Sequence, residues 1–314
     1  MNIVIKLPNK LDERILSFPF LHSLYQNCEL RLEEDEVINL HLLASKEHID
    51  VLYLLPFNAY YHEIDPEDLK SIFTIHRGVV ELKIEKPEIF ISTTESFVDA
   101  SIGKNLNIPR KAGFAISKNK IFLTDKIERN NELNYSDQLF PLIKVIEPYP
   151  KQMINAYARS VKAPYSDWSE GSYTLIDIAS PKDKLDPIWK EFFDLAPASK
   201  FVLMGSQLSE VEQKDQVNEF IKELSDKHQY KFFLYQSNIE FARVSAHSKN
   251  FVTANRALSL LASYVGANNI LIGPKNTLES HGPKYFRGEC EFIEVKNSSS
   301  DQYSKVFDRL LSQN

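Results

Sequence analysis

The chain has 314 residues, 43% hydrophobic and 25% charged, with 37 Lys and Arg against 43 Asp and Glu and a formal net charge of -6. That length exceeds one ordinary domain, and two units of about 150 residues fit the usual size distribution. The acidic balance offers no general attraction to phosphate backbones, so nucleic acid is not an expected partner. Cys28 and Cys290 stand far apart with no neighbour at metal-ligand spacing and read as reduced thiols. The eight histidines show no ligand spacing either, so neither a metal nor a resident cofactor is expected. No apolar run reaches the about 18 residues of a membrane span. The chain also opens directly on a strand without a secretory pattern, so a cytoplasmic location is expected.

In chain order, Ile3-Val4-Ile5 is a β-branched run, and after a loop at 7–10 the residues Ile15, Phe18, Leu21, Leu24 and Tyr25 fall at helical spacing. Apolar runs at 37–43, 49–55 and 88–92 predict strands, and Asp65-Pro66 starts a predicted helix at 67–73. Ile89-Phe90-Ile91 leads into a predicted helix at 95–106, which stops before Pro109. Pro148-Tyr149-Pro150 ends one helical pattern, and 163–172 is rich in Pro, Ser, Gly and aromatic residues. The linker is placed there, giving domains at 1–162 and 163–314.

The alternation then restarts with strand 174–178, helix 187–195, strand 200–204, helix 211–227 and strand 231–235. It continues through strand 250–253, helix 256–264 and strand 269–272 to a closing amphipathic segment at 303–311, which is allowed to return to the N-terminal domain. Strands alternating with helices imply parallel sheets, hence a chain of two tandem α/β domains. Gly205 and Gly273 each follow a strand, at the edge where open α/β sheets place their ligands.

Neither a Gly-x-Ser-x-Gly elbow nor a Gly-x-x-x-x-Gly-Lys-Ser/Thr loop is present, which disfavours serine hydrolases and the common nucleotide hydrolases. From 101 to 124 there are five basic residues, Lys104, Arg110, Lys111, Lys118 and Lys120, and no acidic one. In an acidic chain this stretch is either a solvated face or a surface for an anionic partner.

Four segments together resemble the ADP-heptose-dependent heptosyltransferases, glycosyltransferase family 9. The opening Ile5-Lys6-Leu7-Pro8-Asn9-Lys10-Leu11-Asp12-Glu13-Arg14 is similar to the family's strand, basic residue, polar loop and Gly-Asp helix start. Asn107-Ile108-Pro109-Arg110-Lys111-Ala112-Gly113-Phe114 resembles the end of its next strand-helix unit. Phe201-Val202-Leu203-Met204-Gly205-Ser206, with Glu210 and Glu212, looks like an element of its second half. Phe251-Val252-Thr253-Ala254-Asn255-Arg256-Ala257-Leu258, followed by Ile272-Gly273-Pro274, is similar in register to its nucleotide-sugar signature.

The resemblance covers roughly residues 1 to 290. It implies a GT-B fold, two Rossmann-like parallel-sheet domains facing a cleft, and an inverting, metal-independent transfer of a heptose-like sugar. The donor would be a nucleotide sugar such as ADP-heptose, and the acceptor an anionic glycolipid of the lipopolysaccharide core at the inner-membrane surface.

An inverting transfer needs a base for the acceptor hydroxyl and donors or cations for the leaving diphosphate. Counting from Lys6 selects Asp12 as the base, whereas counting back from Pro19 selects Glu13. The resemblance assigns Ser180, Lys184, Gly205, Glu210, Asn255, Arg256, Ala257 and Leu258 to the nucleotide sugar, and Lys10, Arg14, Arg110 and Lys111 to the acceptor. Where the family has Asp-Thr/Ser-Gly-x-x-His, this chain has Asn255, Arg256, Ala257, Leu258, Ser259 and Leu260. Arg256 would then compensate for the lost charge, or Asn255 would simply cap a helix with Arg256 facing solvent. The alternative function is a catalytically degenerate protein of the same fold, acting as a binding or scaffold module.

Overall fold

A computed structural model describes residues 1–31, 37–116, 118–151, 155–169, 171–178, 193–194, 198–205, 222, 224, 226–273, 275, 277–294 and 308–310. The chain divides into two compact units, Met1–Ala156 and Tyr157–Asn314.

In the first unit β1 (Asn2–Lys6), β2 (Asn39–Ser45), β3 (Tyr60–Ile64), β4 (Ile89–Ser92), β5 (Arg110–Phe114) and β6 (Asp125–Ile127) form one parallel sheet in the order β3-β2-β1-β4-β5-β6. The second holds β7 (Thr174–Asp177), β8 (Lys200–Gly205), β9 (Gln229–Leu234), β10 (Asn250–Thr253), β11 (Asn269–Gly273) and β12 (Cys290–Glu294), ordered β12-β11-β10-β7-β8-β9. Counted from its own first strand, each sheet reads 3-2-1-4-5-6, the order of a doubly wound dinucleotide fold. The central strands are apolar along both faces because helices cover both sides, so β1 and β4 read as continuous runs rather than alternating ones.

The described helices are α1 (Leu11–Leu16), α2 (Phe18–Glu29), α3 (Ile72–Val80), α4 (Phe97–Asn105), α5 (Tyr135–Leu139), α6 (Asn238–Ala246), α7 (Arg256–Tyr264) and α8 (Leu278–His281). Their starts are chemically marked. Ser96 caps α4 at Asp99 N, Ser237 caps α6 at Glu240 N, and Ser71 with Thr74 forms a reciprocal capping box on α3. Beyond α7, Gly266 adopts φ +94, a left-handed turn that releases the chain toward β11 at no side-chain cost. One core gathers Val4, Leu43, Ile75, Val79, Phe90 and Ile102, and the other Ile176, Phe201, Leu203, Val252, Ile270 and Leu310.

Several expectations change. The run at 49–55 is a 3-10 helix, Ile49–Leu54, entered through His48 at φ 59 and left at an extended Leu55 before Pro56. A short apolar run carries no periodicity that separates a buried strand from a buried turn of helix. The helix expected at 67–73 splits into a 3-10 turn, Asp68–Lys70, and α3, because Ser71 at φ -152 restarts the backbone. Strands β3, β5, β6 and β12 and helices α5, α6 and α8 are additional to the sequence reading.

The domain boundary falls after Ala156 rather than at 162. Asn27 exchanges two hydrogen bonds with the Lys151 backbone, while Val161 O and Lys162 O accept from His247 and Arg243 of the second unit. Leu310, in the closing segment, packs in the second core. Most of the helices expected at 187–195 and 211–227, and the rest of the closing segment, lie outside the described residues.

Two buried imidazoles set an acid limit. Burial holds His22 and His41 down to about 4 from 6.5, and His41 also feels His62, which sits 2.9 Å away. Because the unfolded chain takes up protons first, stability is complete above pH 6.5 and is lost as pH falls toward 4. Urea titrations at pH 7 and pH 5 should show this loss, and His41→Gln, which keeps a polar group facing His62, should reduce it.

Candidate active site

In doubly wound sheets, ligands bind beyond the carboxyl ends of the strands where the strand order reverses. The first sheet reverses between β1 and β4, and the second between β7 and β10.

At the first reversal, β1 ends on Lys6, a lysine with no exposed surface. Its Nζ donates to Leu7 O at 2.5 Å and Asn9 Oδ1 at 2.9 Å, and lies 3.8 Å from Asp99 Oδ1. Asp99 Oδ2 accepts from Thr94, whereas the buried Oδ1 has no hydrogen-bond partner. Burial pulls the Lys6 ammonium below its ordinary pKa, with Asp99 pulling the other way.

Arg14 grips the same loop from the helix side. Its guanidinium donates to Pro8 O (2.9 Å), Asn9 O (3.3 Å), Glu47 O (2.7 Å) and Ser45 Oγ (2.8 Å). Burial lowers its pKa to about 10. Three successive carbonyls, Leu7, Pro8 and Asn9, are therefore drawn to buried cations, and this fixes the turn that delivers α1.

Both candidate bases stand on the first turn of α1. Asp12 is half-buried and its Oδ1 accepts from Glu13 N at 2.9 Å. Glu13, with 28% of its side chain exposed, pairs with the exposed Lys10 at 3.2 Å. Tyr135, at the start of α5, is buried nearby, and its hydroxyl is pushed up by burial and then by the Glu13 charge. Arg129, just beyond β6, lies 5.2 Å from the Phe114 ring and 5.1 Å from the Tyr135 ring, and donates to Gln138 at 2.6 Å.

The four acceptor candidates sit in different surroundings. Arg14 has no exposed surface and spends its donors on backbone and Ser45, so it positions the loop and presents no charge to a ligand. Arg110 opens β5 in register with Ile89, itself level with Ile3, whereas Gly113 is level with Ser92 and Lys6. Arg110 thus sits roughly 10 Å from the carboxyl edge, paired with Asp125 at 3.0 Å. Asp125 lies one residue outside the acid-free stretch, which made this arginine look unpaired in the sequence. Lys111, the next residue, donates to Ile108 O and Pro109 O. Lys10 alone of the four is exposed beside the carboxylates.

At the second reversal, Thr253 closes β10 and Asp177 closes β7. Thr253 Oγ1 donates to Asp177 Oδ2 at 2.7 Å and accepts from Asn255 N at 2.8 Å. Asn255 caps α7, its Oδ1 accepting from Ala257 N (3.0 Å) and Leu258 N (3.3 Å). The amides that the sequence offers to a diphosphate are thus engaged by the cap. Leu258 is 3% exposed, so only its main chain faces the helix start, while Arg256 is half-buried. Gly205 ends β8 at the same edge, its carbonyl accepting from Tyr235 N at 3.4 Å. Ser180, Lys184 and Glu210 lie outside the described residues.

Sequence reasoning missed Asp99, Arg129, Tyr135, Asp177 and Thr253. The last two had a usable signal, a polar residue terminating an apolar strand, but its meaning depends on strand order. Among the described residues no three His, Cys, Asp or Glu side chains group as metal ligands, and no helix is long and apolar enough to cross a membrane.

Comparison with solved structures places this geometry in the two-domain α/β class of GT-B proteins. The chain is similar to heptosyltransferase WaaC of E. coli with ADP, at a TM-score of 0.74 and 13% identity over 100% of both chains. A glycosyl transferase of family 9 from Veillonella parvula matches at 0.72 and 13% identity over 100% of this chain and 97% of that one. UDP-GlcNAc 2-epimerase from Neisseria meningitidis, bound to UDP-GlcNAc, matches at 0.56 and 10% identity over 99% and 92%. No protein-family model and no curated protein sequence matches the chain.

The loop clamp makes a simple stability test. Arg14→Met, which keeps the stem and removes four donated hydrogen bonds, should cost at least about 3 kcal/mol in chemical denaturation. Lys10→Met on the exposed neighbour should cost less than about 0.5 kcal/mol.

Proposed function

We propose that the protein is an inverting, metal-independent glycosyltransferase that moves a heptose-like sugar from a nucleotide sugar to an anionic glycolipid. The observation that carries this reading is the match of both domains, end to end, to a heptosyltransferase that binds ADP. The domain sheets share one strand order, and each carries polar side chains at its reversal point, as a donor site and an acceptor site require.

In this reading Asp12 or Glu13 takes the acceptor hydroxyl proton as that oxygen attacks the anomeric carbon. The bond to the diphosphate breaks, and the negative charge leaves on the nucleotide. Both carboxylates stand in the first turn of α1. The clamp of Lys6 and Arg14 holds them in place before substrate arrives, which is where such a base gains most of its advantage. The nucleotide sugar belongs to the edge formed by Asp177, Gly205, Thr253 and the start of α7. Ser180, Lys184 and Glu210 remain candidates there on the resemblance alone.

The runner-up, a binding module of the same fold without turnover, draws on one observation. Asn255 satisfies the Ala257 and Leu258 amides with its own side chain, so those two donors are engaged without a ligand.

Titration calorimetry with ADP, ADP-heptose and other nucleotide sugars separates the readings from no function at this edge. Binding of ADP or a sugar derivative is expected, and failure of every nucleotide removes both donor readings. With transfer measured on a core glycolipid acceptor, Asp12→Asn or Glu13→Gln should lower kcat by about 10²–10⁴ while leaving ADP binding unchanged. Binding without turnover in the parent chain selects the module.

A further inference from the structure

We propose that the loop between β5 and β6 is a membrane-docking element that seats the first domain on an anionic lipid surface. The loop leaves the carboxyl end of β5, the same edge that carries Asp12 and Glu13. Ile121 is 75% exposed and Ile116 40% exposed, and Lys118 and Lys120 between them are exposed as well.

This exposure is imposed from below. Asn119, at 1% exposure, donates to Phe114 O at 2.8 Å and to Glu95 O at 3.3 Å, and its Oδ1 accepts from Ile116 N at 2.9 Å. One buried amide side chain thus turns the segment back on itself and holds two isoleucines and two lysines outward. Phe122 follows at 7% exposure, so the chain re-enters the core directly after the tip.

The composition selects the partner. Isoleucine tips flanked by lysines suit the boundary between acyl chains and anionic head groups, where the aliphatic part enters and the ammonium groups stay with phosphate. Protein interfaces instead concentrate Tyr, Trp and Arg and deplete Lys. The flanking acids do not oppose the lysines: Asp125 is held by Arg110, and Glu95 lies 3.7 Å from Arg129. The chain as a whole carries -6, so an anionic surface would repel it in other orientations and favour the one that leads with this loop. A first domain seated in this way meets a glycolipid acceptor without extracting it from the bilayer. That purpose rests on the proposed transferase reading, whereas the docking itself does not.

The test uses the full chain and vesicles that contain no acceptor glycolipid, so its outcome is independent of catalysis. Co-sedimentation is measured with phosphatidylcholine vesicles and with the same vesicles enriched in phosphatidylglycerol. Binding is expected on the anionic vesicles, weakened by salt, and at least about tenfold weaker in the Lys118→Glu/Lys120→Glu variant. Ile121→Ser should weaken it further, with circular dichroism and ADP binding unchanged because none of these side chains is buried. Equal partitioning onto neutral and anionic vesicles, no binding to either, or variants that bind like the parent would each overturn the proposal. If docking is found but no nucleotide binds, the membrane element stands and the transferase reading falls.

Discussion

The first domain depends on how two buried cations are neutralised without a full set of buried anions. Lys6 and Arg14 have no exposed surface, yet Lys6 has a carboxylate only at 3.8 Å. Most of their donors go to main-chain carbonyls at 7–9 and 47, together with Asn9 and Ser45 side chains. Leaving any of these donors unpaired in the interior would cost more than the bond itself is worth, so the loop is forced into the one path that supplies them. Leu11, Ile15 and Leu16 then bury one face of α1, and Asp12 and Glu13 occupy the face left over. Charge burial, loop path and carboxylate position form a single chain of cause.

The second domain solves the corresponding problem with one carboxylate and neutral groups. Thr253 relays between Asp177 and Asn255 N, and Asn255 relays onward to α7, so one hydrogen-bonded line ties the two strands at the reversal to a helix start. Nothing in that line is a buried cation, and Asn255 at its end is exposed.

Much of the fold was legible because β-branched runs and helical spacing are local signals. The strand at 250–253 and the helix at 256–264 match the structure residue for residue, Asn255 cap included. Strands β3 and β5, with Tyr60-Tyr61-His62-Glu63 and Arg110-Lys111-Ala112-Gly113, were illegible because sheet membership there comes from neighbours rather than from residue type. The site was less legible for a related reason. Arg110 and Arg14 looked alike in the sequence, two cations near a motif, whereas one faces Asp125 at the far edge and the other lies wholly inside. Distinguishing them requires strand register, which the sequence does not carry.

The four directions in which the Arg14 guanidinium donates have an evolutionary corollary. A lysine at that position offers one nitrogen in place of a planar fork and cannot serve Pro8, Asn9, Glu47 and Ser45 together. The site is closed even to the charge-preserving exchange, although the side chain has no exposed surface. Descendants of this chain should therefore keep arginine there as strictly as any reactive group.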